Sequence, residues 1–214
     1  MCGISGSNEF ERAFNLYKLN LARGSHSSGF MSVCLQTGDF FIDKVPQIFD
    51  EHWFNDKCKK YLNKNFYFLF HSRAPTNSIN SIWTTENTHP FEWKGYYVAH
   101  NGIISNFKNL EDNECFEVDS SIIPYLLFKN NGNISETYSN LQGLLTSWIF
   151  NSKLNKIYLA KAGSTLWIDQ HSFSSTFFDN SVAVKDGDIN VYSSKEGFVL
   201  ETEKINYKSS YFIL

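Results

Sequence analysis

The chain has 214 residues, 42% hydrophobic and 19% charged, with a formal net charge of −3. This is the composition of a folded chain, and the length suits a single domain over residues 1–214. No basic block points to nucleic acid, no apolar run approaches a membrane span, and no basic-then-apolar start marks a signal peptide, so a cytoplasmic location is expected.

In chain order, Phe10, Phe14, Tyr17 and Leu21 recur at i, i+4, i+7 and i+11, one apolar helix face stopped at Gly24. Residues 29–35 and 40–45 read as strands around a turn at Thr37-Gly38-Asp39, followed by a polar helix over 50–62. The continuous apolar run 66–70 suits a buried strand ending in His71-Ser72-Arg73-Ala74-Pro75-Thr76. A second buried strand, 96–99, ends at His100-Asn101-Gly102. Asp119-Ser120-Ser121 is a helix start ahead of Ile122, and Pro124 fits only in that helix's first turn. A further helix is expected over 135–145, then strands at 147–150 and 157–160. Strands at 182–184 and 189–192 flank Lys185-Asp186-Gly187-Asp188, a hairpin signal. Residues 205–214 are expected to add an edge strand. Helices grouped between antiparallel hairpins suit two packed sheets covered by helices, an α+β class.

Cysteines stand at 2, 34, 58 and 115, with no CxxC pair, and the six histidines form no HExxH pattern. No metal site is therefore expected, and Cys34, Cys58 and Cys115 read as buried or half-buried free thiols.

Cys2 differs from these. Once Met1 is removed, the chain begins with a thiol of pKa about 8.5 and an α-amine of pKa about 8 on one residue, a self-contained nucleophile and base. Three other places carry chemistry that such a nucleophile needs. Arg73 follows a buried strand, where a guanidinium can clamp a carboxylate or simply lie at the surface. Asn101-Gly102 offers an amide and a backbone N–H to an oxyanion, or alternatively a hairpin turn. Asp119 can hold an ammonium group or cap a helix.

Taken together and in order, these segments resemble the class II glutamine amidotransferases. Met1-Cys2-Gly3-Ile4 is similar to that family's start, and Arg23-Gly24-Ser25-His26-Ser27-Ser28-Gly29 to its Arg-Gly-x-x-Ser-x-Gly segment. His71-Ser72-Arg73-Ala74-Pro75-Thr76 resembles the His-Thr-Arg-Trp-Ala-Thr segment of the glucosamine-6-phosphate synthase branch. Asn87-Thr88-His89-Pro90, Val98 to Asn106, Val118 to Ile123 and Lys161-Ala162-Gly163-Ser164 follow in register with further family segments. The resemblance covers residue 2 to about 170, and residues 171–214 carry no motif.

The resemblance implies a four-layer αββα N-terminal-nucleophile hydrolase fold with two stacked, mainly antiparallel sheets. It implies Cys2 as nucleophile with its α-amine as base, and Asn101 with the Gly102 N–H as oxyanion hole. Arg73, assisted by Thr76, would bind the α-carboxylate of glutamine, Asp119 its α-ammonium, and His100 is grouped with these substrate-binding residues. Glutamine would be hydrolysed through a γ-glutamyl thioester, with no cofactor and no metal. The sequence departs from the branch at Ala74 (Trp there), Asn77 (His) and His26 (Asp). No acceptor domain is expected within these residues. The ammonia would thus serve a separate synthase subunit, or the chain would be a stand-alone γ-glutamyl amide or peptide hydrolase of the same superfamily. A regulatory or scaffold subunit is a third reading, opposed by the retained Cys2, Arg73, Asn101, Gly102 and Asp119.

Overall fold

A computed structural model describes residues 1–61, 65–74 and 84–208, without the side chains of 58 and 59. Among the described residues, strands β1 (Gly3–Ser7), β2 (Ser27–Val33), β3 (Phe40–Val45), β4 (Tyr67–Arg73), β9 (Trp167–Ile168), β10 (Ser172–Ser174) and β11 (Val182–Ala183) form one sheet in the order β11-β9-β10-β1-β4-β2-β3. Strands β5 (Phe91–Trp93), β6 (Tyr96–Ile104), β7 (Gly143–Asn151), β8 (Lys156–Ala160), β12 (Ile189–Ser193) and β13 (Gly197–Leu200) form a second in the order β13-β12-β8-β7-β6-β5. The pairings flanking the site, such as β1 with β4 and β6 with β7, are antiparallel.

Strand alternation divides the apolar residues into three layers. On β4, Tyr67 and Leu69 face inward; they join Ile4, Met31, Ala99, Trp148, Phe150 and Leu159 in the core between the sheets. Phe68 and Phe70 face outward and meet helix α1 (Phe10–Asn20) and helix α2 (Glu51–Tyr61). On β7, Trp148 and Phe150 point to the inter-sheet core, whereas Leu145 and Ile149 pack under helices α3 (Ile122–Lys129) and α4 (Ile134–Ser139). The result is the expected αββα stack. Its α1–α2 side is an aromatic layer: Phe14 stacks on Phe54 with centroids 4.6 Å apart, and Phe49 on Trp53 at 4.1 Å. Burial of each such ring contributes about 1.5–3 kcal/mol.

The first helix follows its predicted stripe, burying Phe10, Ala13, Phe14 and Tyr17. Helix α2 starts where Asp50 accepts the Trp53 N–H at 2.8 Å, an N-terminal cap. Pro124 lies in the first turn of α3, behind a 3-10 turn at Asp119–Ser121, as its missing N–H requires.

Several expectations are corrected. The helix over 135–145 is instead a short α4 followed by strand. Asn133 caps α4 by accepting the Glu136 N–H at 2.9 Å, and the chain is extended again from Gly143. Leu141 and Leu145 sit at helical spacing from Tyr138 and pack into the same core, so the apolar pattern imitated a longer helix. Strands 182–184 and 189–192 do not form a hairpin, because β11 pairs with β9 in one sheet and β12 with β8 and β13 in the other. Asp186 between them accepts Lys161 Nζ and the Gly163 N–H, which ties the crossing segment to the end of β8. β1 itself was not anticipated as a strand. Residues 205–208 form no strand, and 209–214 lie outside the described residues. Cys115 is exposed and Cys34 half-buried, so the burial expected for Cys115 does not hold.

Candidate active site

Cys2 immediately precedes β1, whose first pair sets Gly3 opposite Ser72. Arg73 ends β4 and pairs with Ser27 of β2 on its other side. Cys2, Arg73 and the Arg23–Gly24 segment therefore meet at one end of the first sheet. The second sheet brings His100, Asn101 and Gly102 on β6, opposite Ser147, Thr146 and Leu145. Asn101-Gly102 is thus mid-strand and not a hairpin turn. Two hydrogen bonds lock the sheets at this level: His71 Nε2 to the His100 carbonyl at 3.2 Å, and Trp148 Nε1 to the Phe70 carbonyl at 3.1 Å.

The Cys2 side chain is buried, 8% exposed, with its sulfur 3.8 Å from the Ala74 carbonyl oxygen. Burial pushes its pKa up, and the Ala74 backbone, the Arg73 guanidinium and the terminal ammonium oppose that rise, while Asp119 adds to it. Arg23 donates Nε–H to the Cys2 carbonyl at 3.0 Å. Burial lowers the Arg23 pKa and the Cys2 thiol acts in the other direction. Sequence reasoning assigned Arg23 no role. The available signal was the neighbouring glycine: a Cβ on Gly24 would stand 2.4 Å from the Ala74 nitrogen, so only glycine lets this segment press against the end of β4.

Arg73 is partly buried and donates to the Asn87 carbonyl, and both Cys2 and Asp119 act on its charge. Asp119 is held rigidly. One carboxylate oxygen accepts the Ile104 N–H at 2.8 Å, and the other accepts the Ser120 N–H at 2.7 Å. The Ser120 hydroxyl also lies 3.1 Å from the second oxygen, so the oxygen bonded to Ile104 is the one that retains a lone pair for a cation.

Both ring nitrogens of His100, grouped with the substrate-binding residues, are engaged by protein groups. Its Nε2 lies 2.7 Å from the Leu144 carbonyl and its Nδ1 2.8 Å from the Ser120 hydroxyl. Burial lowers its pKa, so the ring is neutral, and the carbonyl assigns the proton to Nε2. The Ser120 hydroxyl then donates to Nδ1, which fixes the residue next to Asp119. Gly102 is demanded by packing, since a Cβ there would lie 1.7 Å from the Leu144 carbonyl oxygen. Asn101 is fully buried, with Nδ2 3.1 Å from the Ser175 hydroxyl. Thr76 lies outside the described residues. Among the described residues, no group of three or more His, Cys, Asp and Glu is placed to hold a metal ion, and no helix is long and apolar enough to cross a membrane.

The solved glutamine phosphoribosylpyrophosphate amidotransferase from B. subtilis superposes with a TM-score of 0.69 at 17% identity, covering 94% of this chain and 49% of that one. The chain has the class II glutamine amidotransferase fold. A glutamine aminotransferase class-II domain protein from Silicibacter pomeroyi matches over 94% of this chain and 98% of its own, with a TM-score of 0.55 at 9% identity. In sequence, the glutamine–fructose-6-phosphate aminotransferase (isomerizing) of Francisella tularensis is 26% identical over 254 residues, covering 98% of this chain and 40% of the relative. The chain thus spans less than half the length of that relative and of the B. subtilis enzyme. No sequence-family profile matches it.

Proposed function

We propose that the chain is the glutaminase part of a glutamine amidotransferase, hydrolysing the side-chain amide of glutamine to glutamate and ammonia for a separate synthase subunit. The observation that supports this is the β1–β4 register, which sets the residue after Cys2 opposite Ser72 and so brings Cys2 beside Arg73, with Asp119 held by Ile104 and Ser120 and acting on both. Arg73 and Asp119 are the two charges needed to hold the zwitterionic end of a free amino acid.

In this reading Met1 is removed and the freed α-amine takes the Cys2 thiol proton, through a water. The thiolate attacks the amide carbon, forming the C–S bond and placing the electron pair on oxygen. Asn101 and the Gly102 N–H receive that oxyanion. Collapse breaks the C–N bond, and the proton held by the amine leaves with the nitrogen as ammonia. Water then cleaves the γ-glutamyl thioester and returns the proton to sulfur. Arg73, with Thr76, binds the α-carboxylate and Asp119 the α-ammonium. Arg23 supports the developing thiolate through the Cys2 backbone. No cofactor takes part.

The test is ammonia and glutamate release from glutamine by untagged protein, with γ-glutamyl peptides in parallel. Turnover of glutamine in preference to the peptides supports the reading. Turnover of peptides alone assigns the chain to the stand-alone γ-glutamyl hydrolases, and no turnover of either refutes both.

A further inference from the structure

The segment after β10 carries no motif, yet Ser175 reaches into the site. Its N–H donates to the Ile4 carbonyl at 2.9 Å, and its hydroxyl oxygen accepts the Ile4 N–H at 3.1 Å. The same oxygen lies 3.1 Å from the Asn101 side-chain amide. Ser175 is 1% exposed and Asn101 fully buried, so water does not substitute for these contacts.

The orientation of the Asn101 amide decides what this contact does. With Nδ2 toward Ser175, both lone pairs of the serine oxygen receive N–H donors and its own proton has no acceptor among the described residues. In that orientation Oδ1 is also buried with no partner among the described residues. A buried unsatisfied acceptor costs about 1–3 kcal/mol. Rotating the amide by half a turn satisfies the serine proton and Oδ1 together, and leaves the amide NH2 in place of the oxygen as the group without a partner among the described residues. The serine hydroxyl then donates to Oδ1 while still accepting from Ile4, and the amide NH2 takes the position where Oδ1 had no partner. Amide nitrogen and oxygen are assigned from such networks.

We infer that Ser175 is a positioning residue of the oxyanion hole: its hydroxyl holds Asn101 Oδ1 and so aims the amide NH2 at the oxygen of the tetrahedral intermediate. This rests on the proposed glutaminase reaction. Ser175 touches no reacting atom. Through Ile4 it also fixes the amide relative to β1, the strand that begins immediately after Cys2.

Two measurements test it. The first is a crystal structure fine enough to distinguish the amide atoms, independent of any activity. Oxygen toward Ser175 is expected, and nitrogen toward Ser175 overturns the inference. The second is kinetic, comparing Ser175→Ala and Ser175→Cys with the wild type. The thiol is a weaker donor, so kcat on glutamine should fall in the order Ser, Cys, Ala, by about tenfold to hundredfold for alanine, with KM nearly unchanged. Alkylation of Cys2 by iodoacetamide passes through no oxyanion and should keep its rate. In an Asn101→Ala background, Ser175→Ala should cost nothing further. Wild-type kcat in Ser175→Ala, a parallel fall in alkylation, or full additivity with Asn101→Ala each overturns the inference. If alanine does not fold, the serine-to-cysteine step carries the comparison. Lack of glutamine turnover by the wild type instead refutes the proposed reaction, and the amide orientation still decides the role of Ser175.

Discussion

Arg23 donates its Nε–H to the carbonyl of Cys2 at 3.0 Å, which places a cation against the backbone of the proposed nucleophile. Burial raises the Cys2 pKa, and the Arg73 charge works against it. Replacing Arg23 by glutamine removes one of these two charges while keeping a side-chain donor. The pH at which Cys2 becomes reactive should then move up, with slower alkylation near neutrality. The check is the iodoacetamide rate as a function of pH, and an unshifted profile would show that the Arg23 charge does not act on the thiol.

Asn101→Ala should lower kcat on glutamine by about 10²–10³ with little change in KM, because an oxyanion donor acts in the transition state more than in the bound substrate. Steady-state kinetics check this directly. An equal rise in KM with kcat unchanged would instead make Asn101 a ground-state substrate contact.

Asp119→Asn and Arg73→Lys should act the other way, raising KM for glutamine by tenfold or more, at about 1.4 kcal/mol per decade, while Cys2 remains alkylatable. Asn keeps the acceptor for the Ile104 N–H but loses the charge for an ammonium. Glutamine titration of both variants separates this role from a purely structural one, which would lower the melting temperature and leave KM alone.

Gly102→Ala should destabilise the fold by about 3 kcal/mol or more, since the new Cβ meets a backbone carbonyl oxygen and not a yielding side chain. Thermal unfolding measures this. A variant with the wild-type melting temperature would mean that β6 and β7 can move apart at this step.

Three fully buried histidines set the expected acid sensitivity. Burial, with the Arg73 charge, lowers His71 to about 3, and burial also lowers His89 and His100. Each is neutral in the fold and gains a proton on unfolding below about 6.5, so the unfolded state binds more protons in that window. Stability should therefore fall as the pH drops below about 6.5, and for His71 the fall continues toward about 3. Denaturant midpoints at pH 7.5 and 5.5 check the sign; a midpoint that rises on acidification would contradict it.

Much of this was legible in the residues. The 10, 14, 17 stripe gave α1, the continuous run before His71 gave β4, and the order of motifs gave the αββα stack. What escaped has physical causes. Asn101-Gly102 is a common turn dipeptide, and only the approach of the Leu144 carbonyl reveals it as strand. Leu141 and Leu145 keep helical spacing from Tyr138 because strand and helix feed one core. The Lys185 to Asp188 turn looked local, yet Asp186 binds Lys161 and Gly163 after β8. His100 read as a ligand, whereas its ring is held between Leu144 and Ser120. Arg23 and Ser175 make their contacts through long-range hydrogen bonds, which leave no local pattern.

The central claim is that Cys2 is a processed N-terminal nucleophile that recognises glutamine. Intact mass of the untagged protein, before and after incubation with 6-diazo-5-oxo-norleucine, tests it most directly. The account predicts loss of Met1 and one adduct per chain, located on Cys2. Retained Met1 would remove the α-amine base and contradict the mechanism, and a processed chain that takes up no adduct would contradict glutamine as its substrate.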